Sequence, residues 1–439
     1  MKESLIMKVK AHEWFYPLVL LSYVLALFFP EIVRPGVVSA IVVTAVVLQL
    51  LWSLLGCLRD GLHNSEHPRT LGGLHKSERR RTLDGLHNFI VSLPTEDIVM
   101  TLWLIFNLLS GISYISSGIP AGVFLGEVFT TALPMCFYYC GRMDDKGERF
   151  SLYFLISVAF TGFLGIVLFI SGPQFYIDHL MRLELISKAD IPTMRVRMHS
   201  VIGSTLVGFL GAVGMLLSVR RLMECRKKEG KILSVVSFLF MLLLAFMSNQ
   251  RSAMAAAMII IIYLNFLVFF EYKLLPKKCF FGECGLIAAF TAALFLLFRG
   301  AFMKIYYRLV SLPGSIAQRS DQWVGAANNM RSIWFGNGLG ANGHRAIGFS
   351  DHVIADGGIA KLYVESGIFG TSLFVFLMLL ILKKSLKKTG LTAPEAGVIM
   401  VTLLMSIGSN MMSFALSVPV FYYCAGRSVK LCLSDREET

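Results

Sequence analysis

Charge is what this 439-residue chain has least of: only 16% of its residues are charged, against 55% apolar, and its mean hydropathy is +0.66. Soluble domains carry about 25% charged residues, so a water-soluble fold is excluded. The scarce charges sit in short clusters between apolar runs of about 17 to 25 residues, the length that crosses a bilayer core. About twelve runs stand at 15–30, 35–57, 97–117, 121–140, 151–171, 202–219, 232–249, 252–270, 280–299, 359–382, 395–409 and 413–429. Backbone in lipid must satisfy its own hydrogen bonds, so each run is expected to be helical. The expected fold is all-α: one integral membrane domain over 1–439, with amphipathic helices on its outer face.

Other absences narrow the reading. No small-residue cleavage site follows the first run, which ends at Pro30, so it is expected to be a retained helix and not a signal peptide. None of the eight cysteines (Cys57, Cys136, Cys140, Cys225, Cys279, Cys284, Cys424, Cys432) falls in the loops assigned to the outer side, so no disulfide framework is expected there. Cys136 and Cys140 with Cys279 and Cys284 read as packing residues rather than metal ligands. No inverted or parallel repeat and no matched pair of interrupted helices is visible, which weighs against a transporter.

What charge there is has a side. With the N-terminus inside, 28 of the 41 Lys and Arg fall in the inner segments, the asymmetry expected of cytoplasmic loops. Both termini are then expected to be cytoplasmic. The net charge of +13 is explained by this placement, and no nucleic-acid partner is expected. The inner loop 58–96 carries a 12-residue repeat, DGLHNSEHPRTL, GGLHKSERRRTL and DGLHNFIVSLPT. Its His63, His75 and His87 read as a solvated duplication near anionic head groups, not as a metal site.

The outer side has two sizeable loops. In 172–201, the segment IDHLMRLELISK has the spacing of an interfacial helix, and Arg195 and Arg197 precede the next run. SNQRS leaves Arg251 at the apex of a tight hairpin, either snorkelling to lipid phosphate or serving a site. The main loop, 299–358, holds Arg308, Arg319, Arg331 and Arg345, then Asp351, His352 and Asp356. Trp323, Ala327, Met330 and Trp334 form one apolar stripe, predicting an amphipathic helix docked on the bundle. The glycines of FGNGLGANG make either a tight turn or a backbone cradle for phosphate; with no strand before them they are not a dinucleotide fingerprint. Asp356 either caps the next helix or does chemistry. Ser366, Gly367, Gly370 and Thr371 supply a small-residue face for helix packing. Glu127 and Glu365 each sit about two turns inside a span, where a carboxylate costs about 3 kcal/mol unless partnered or lining a cavity.

Four segments in order, MRVRMHSVIGS, SNQRSAMAAA, QRSDQWVGAANNMRSIWFGNGLG and DGGIAKLYVESGIFG, resemble motifs of the O-antigen polymerase and ligase superfamily of membrane glycosyltransferases. The resemblance spans roughly residues 195 to 425. Asp356 stands where ligases usually have His, which favours a polymerase. The resemblance implies glycosyl transfer from an undecaprenyl-diphosphate-linked oligosaccharide, with Arg197, Arg251 and Arg319 on the diphosphate and Asp356, then His352, as base. Glu127, Arg195, Arg345 and Glu365 are expected to line the cavity. Guanidinium groups can stabilise a departing diphosphate without a metal, and no outer carboxylate cluster suggests one, so no metal or cofactor is expected. The expected partners are the lipid-linked oligosaccharide, membrane lipids and a chain-length regulator. A ligase acting on lipid A core and a lipid-linked oligosaccharide flippase are the alternatives.

Overall fold

Apolar runs become helices wherever the computed structural model describes the chain, which is over residues 10–64, 94–114, 118–144, 147–182, 197–266, 312–386 and 393–437, with 186, 268, 269, 276, 282 and 285. In chain order these are α1 (Phe15–Phe28), α2 (Pro35–Asn64), α3 (Thr95–Leu109), α4 (Ala121–Met143), α5 (Glu148–Ser171), α6 (Gln174–Arg182), α7 (Ser204–Glu224), α8 (Lys228–Met247), α9 (Arg251–Phe266), α10 (Leu312–Asn328), α11 (Gly358–Leu386), α12 (Ala393–Gly408) and α13 (Val418–Glu437). Among the described residues there is no strand.

Among the described residues, eight helices are long and apolar enough to cross a membrane, and α9 and α12 are shorter apolar helices. The run at 280–299, the repeats after residue 64, Arg195, Arg308 and the Cys279/Cys284 pair lie outside the described residues. α7 is the axis of the bundle. Phe209, Leu210, Ala212, Val213, Met215 and Leu216 are fully buried on it, and α5, α8, α9 and α12 pack around it. By contrast, much of the surface of α2 and α8 is exposed Leu, Ile and Val, as a lipid-facing helix requires.

Two spans are not continuous α-helix. α4 passes from α-helix (Ala121–Glu127) through a π-helical turn (Val128–Ala132) and a 3-10 turn (Leu133–Cys136) before resuming at Phe137. α11 breaks at Gly367, whose φ of 63° and ψ of −167° belong to a region only glycine occupies readily. Both runs are helical as expected, but with an interruption that hydropathy did not show. Gly367 makes the break in α11 instead of simply packing a small face.

The break frees backbone groups that lipid cannot satisfy, and the segment after α10 supplies them. Ile368 and Phe369 N–H donate to the carbonyls of Ile333 and Trp334, at 2.9 and 3.0 Å. In return, Asn337 and Gly338 N–H donate to the carbonyls of Val364 and Glu365, both at 2.9 Å. Residues 333–338 are thus a strap hydrogen-bonded across the break. This is why α10 ends at Asn328 and not at Trp334 as the stripe predicted. Trp323, Ala327 and Met330 still pack on the buried Ala326, Ile354 and Val364, while Trp334 leaves the stripe to lie against Phe369.

Candidate functional site

Three loops meet at the end of the bundle where α11 begins. Asn410, buried between α12 and α13, donates from Nδ2 to the carbonyls of Ile354 and Ala355 at 3.0 and 2.9 Å. Gly358 N–H donates to the Ser409 carbonyl at 3.1 Å. Trp323, on α10, donates from Nε1 to the Asp356 carbonyl at 2.7 Å. Gly357, at φ 122°, makes that approach possible: a Cβ there would lie 2.5 Å from the Trp323 ring nitrogen. Asp356 is therefore held by its backbone, which leaves its side chain at the rim.

That carboxylate takes the Arg319 guanidinium, Nη2 to Oδ2 at 2.8 Å, with side-chain exposures of 36% for Arg319 and 46% for Asp356. No backbone N–H of α11 reaches the carboxylate among the described residues, so Asp356 does not act as an N-cap. His352, four residues before Asp356, lines a cleft of about 340 Å³ with Asp321, Gln322 and Asp351; neither Arg319 nor Asp356 is part of its wall. The His352 carbonyl is fixed by Asn342 Nδ2 at 2.6 Å.

Arg197 and Arg251 each stand next to a residue that ties the approach to α7 to the α8–α9 hairpin. Met198 N–H donates to the Met247 carbonyl at 3.0 Å, and Gln250 Nε2 donates to Ser204 Oγ at 2.7 Å. These bonds draw the approach to α7 onto the α8–α9 hairpin, next to both arginines. Ser200 and Asn249, at φ 48° and 49°, are non-glycine residues in the left-handed region on either side of the junction. α9 packs on α12, and Arg319 reaches the end of α12 at Gly408, where a Cβ would stand 3.6 Å from its Nη1.

Beneath the rim lies a group that sequence reasoning half found. Glu127 and Glu365 are buried, and between them sits Lys361, 2% exposed and unforeseen. Its Nζ lies 3.8 Å from Glu127 Oε2 and 3.7 Å from Glu365 Oε1, and donates to Ser413 Oγ at 2.9 Å. Thr131 Oγ1 donates to Glu127 at 2.9 Å, and Asn342 N–H to Glu365 at 3.1 Å. Arg345 reaches Glu127 at 3.9 Å from the solvent side, its own side chain 48% exposed. The signal for Lys361 was present: a cation four residues before Glu365 in an apolar helix is an i,i+4 pair that needs burial together. A cavity of about 30 Å³, room for about one or two waters, opens beside Lys361 and Glu365.

The glycine segment settles as a turn. The amides of Gly336, Asn337 and Gly338 donate to the carbonyls of Ser332, Val364 and Glu365, and Leu339 N–H donates to Ser110 Oγ at 3.1 Å. Those donors are spent within the protein and do not form a phosphate cradle. One donor set compatible with a metal occurs among the described residues, at the opposite end of the bundle, where ligand atoms of His12, Glu13 and Asp144 lie within 4.8 Å of one another. Lys10 at 3.3 Å from Asp144 and Arg149 at 4.0 Å from Glu13 already supply the counter-charge there. Cys136, Cys140, Cys225, Cys424 and Cys432 are free thiols.

No protein-family model and no curated protein matches this chain.

Proposed function

We propose that the protein is a membrane glycosyltransferase that extends a glycan carried on a polyisoprenyl diphosphate, an O-antigen-type polymerase. In this reading it has about twelve spans in a bacterial inner membrane, both termini in the cytoplasm, and the α10–α11 rim facing the periplasm. The observation that carries the reading is the open Arg319–Asp356 pair, with a sugar-sized cleft lined by nearby stretches of the same two segments, 321–325 and 347–353. Binding clefts for small ligands begin at about 300 Å³.

The chemistry follows from the exchange of one anion for another. An arriving diphosphate competes for the Arg319 guanidinium, which binds phosphate oxygens as well as it binds carboxylate. The freed Asp356 carboxylate then accepts the proton of the acceptor hydroxyl. The hydroxyl oxygen bonds to the anomeric carbon as the bond from that carbon to the diphosphate oxygen breaks. The departing diphosphate keeps the electron pair, and the guanidinium groups neutralise its new charge. Arg197 and Arg251 are the further cations of this reading, and His352 the second base.

One observation favours a different reading. The interrupted spans α4 and α11 meet at Glu127, Lys361 and Glu365, and broken helices around buried charge are how transporters hold cargo. Reconstitution separates the two. With a lipid-linked repeat unit in vesicles, polymerase action yields a ladder of longer glycans, whereas a flippase moves the glycan across unextended.

A further inference from the structure

A lipid-linked substrate has to reach the rim from the side, because its tail cannot leave the membrane. The structure has a groove that fits this need. Phe106, Leu109 and Ile112 on α3 and its 3-10 extension (Ser110–Tyr114) face Phe335 on the strap, enclosing about 450 Å³. Leu109 and Ile112 are 58% and 65% exposed, so the groove opens on the surface that lipid covers. Its wall is apolar at the depth of the span and turns cationic and hydroxylated at the rim, with Arg331 and Ser113. Arg331 is exposed and its Nη1 donates to the Ser113 carbonyl at 2.8 Å, which holds the guanidinium over the groove mouth.

Phe106 and Ser110 belong both to the wall of the groove and to the wall of the small cavity beside Lys361 and Glu365, which includes Gly358, two residues from Asp356. The groove and that cavity are therefore neighbours. The strap that forms the far wall of the groove is the one hydrogen-bonded across the α11 break.

We infer that the groove between α3 and residues 331–336, which lead into the strap, is the lateral portal for a polyisoprenyl diphosphate, the tail against Phe106, Leu109 and Phe335 and the phosphates under Arg331. This rests on the proposed lipid-linked chemistry. Charge complementarity and an apolar wall open to the bilayer favour this occupant over a protein segment.

The test uses the full chain in phosphatidylcholine nanodiscs with a photoreactive polyisoprenyl diphosphate. Cross-links are expected on the peptides covering 95–114 and 331–338. Arg331→Ala and Leu109→Trp should each lower them about tenfold, the loss of one charge-assisted contact or of tail space. Leu109 is lipid-exposed, so its variant is expected to fold, and unchanged cross-links in both variants would overturn the portal. Competition by phosphatidylglycerol as strong as by unlabelled polyisoprenyl diphosphate would also overturn it, leaving an annular lipid site. Elongation of glycan with cross-links confined to other helices removes the portal and keeps the polymerase. Cross-links in the groove without elongation keep the portal and remove the polymerase.

Discussion

Two Arg–Asp pairs stand at opposite ends of this bundle and are built differently. At the far end, Arg142 grips Asp97 with two donors, Nε to Oδ1 and Nη2 to Oδ2 at 3.0 Å each, and Tyr138 adds a third hydrogen bond at 2.7 Å. The side chains are 17% and 11% exposed. At the rim, Arg319 reaches Asp356 through Nη2 alone, and both side chains are over a third open. The first pair is a clamp between α3 and α4. The second is held in place by the backbone around it, through one contact that solvent can reach. The same two residue types thus do structural work where doubly bonded and largely covered, and are proposed to do chemical work where singly bonded and wet.

The largest expected effect breaks the symmetry between the pairs. Asp97→Ala leaves a largely covered guanidinium without its doubly bonded partner and should cost about 2 kcal/mol or more of stability. Asp356→Ala should cost less than about 1 kcal/mol. Thermal unfolding of the two variants in one detergent measures the difference, and equal losses would mean that the rim pair is also a clamp.

Next in size is the strap. Gly367→Ala places a methyl 2.5 Å from the Trp334 carbonyl carbon and oxygen on a backbone only glycine favours. A destabilisation of about 2 kcal/mol is expected, with faster hydrogen exchange at Ile368 and Phe369. Lost protection there without loss in α13 locates the damage in the strap.

Arg319→Lys sharpens the comparison further. A lysine keeps the charge but loses the planar fork, so elongation should fall about tenfold while the melting temperature holds. Full activity would show that a point charge suffices.

The smallest effect tests how the 172–201 loop is fastened. His179 on α6 is buried with both ring nitrogens lacking a hydrogen-bond partner. Burial, with Arg182 as a lesser cause, pushes its imidazole down to about 4. A folded value below the usual ~6.5 means that the undocked helix binds the proton more readily. Docking of α6 is therefore complete above about pH 6.5 and weakens as the pH falls towards 4. Limited proteolysis of the loop across that range measures it, and His179→Leu should flatten the response.

The helices were legible because lipid enforces them: hydropathy alone located the spans that the structure describes. The rim pair was legible in part. Arg319 and Asp356 were each named from motif resemblance, but their contact joins residues 37 positions apart and depends on Trp323 and Asn410 fixing the loop between. Lys361 was missed although Glu365 stands four residues on, because a lone cation in an apolar span also reads as one that snorkels to the interface. The break at Gly367 and the end of α10 were not legible. Each depends on hydrogen bonds between residues 27 or 35 apart in the chain, and the local pattern of either segment reads as unbroken helix. The π turn after Glu127 is equally silent in sequence, although it carries the carboxylate to Lys361.

The account turns on the rim carboxylate doing chemistry, and Asp356→Asn tests that most directly. Asparagine keeps the shape of the side chain and removes the base. With a lipid-linked repeat unit in vesicles, elongation should fall by about a hundredfold or more while the melting temperature stays within about 2 °C of the parent. A normal glycan ladder from the variant would contradict the account and return Asp356 to the role of a surface ion pair.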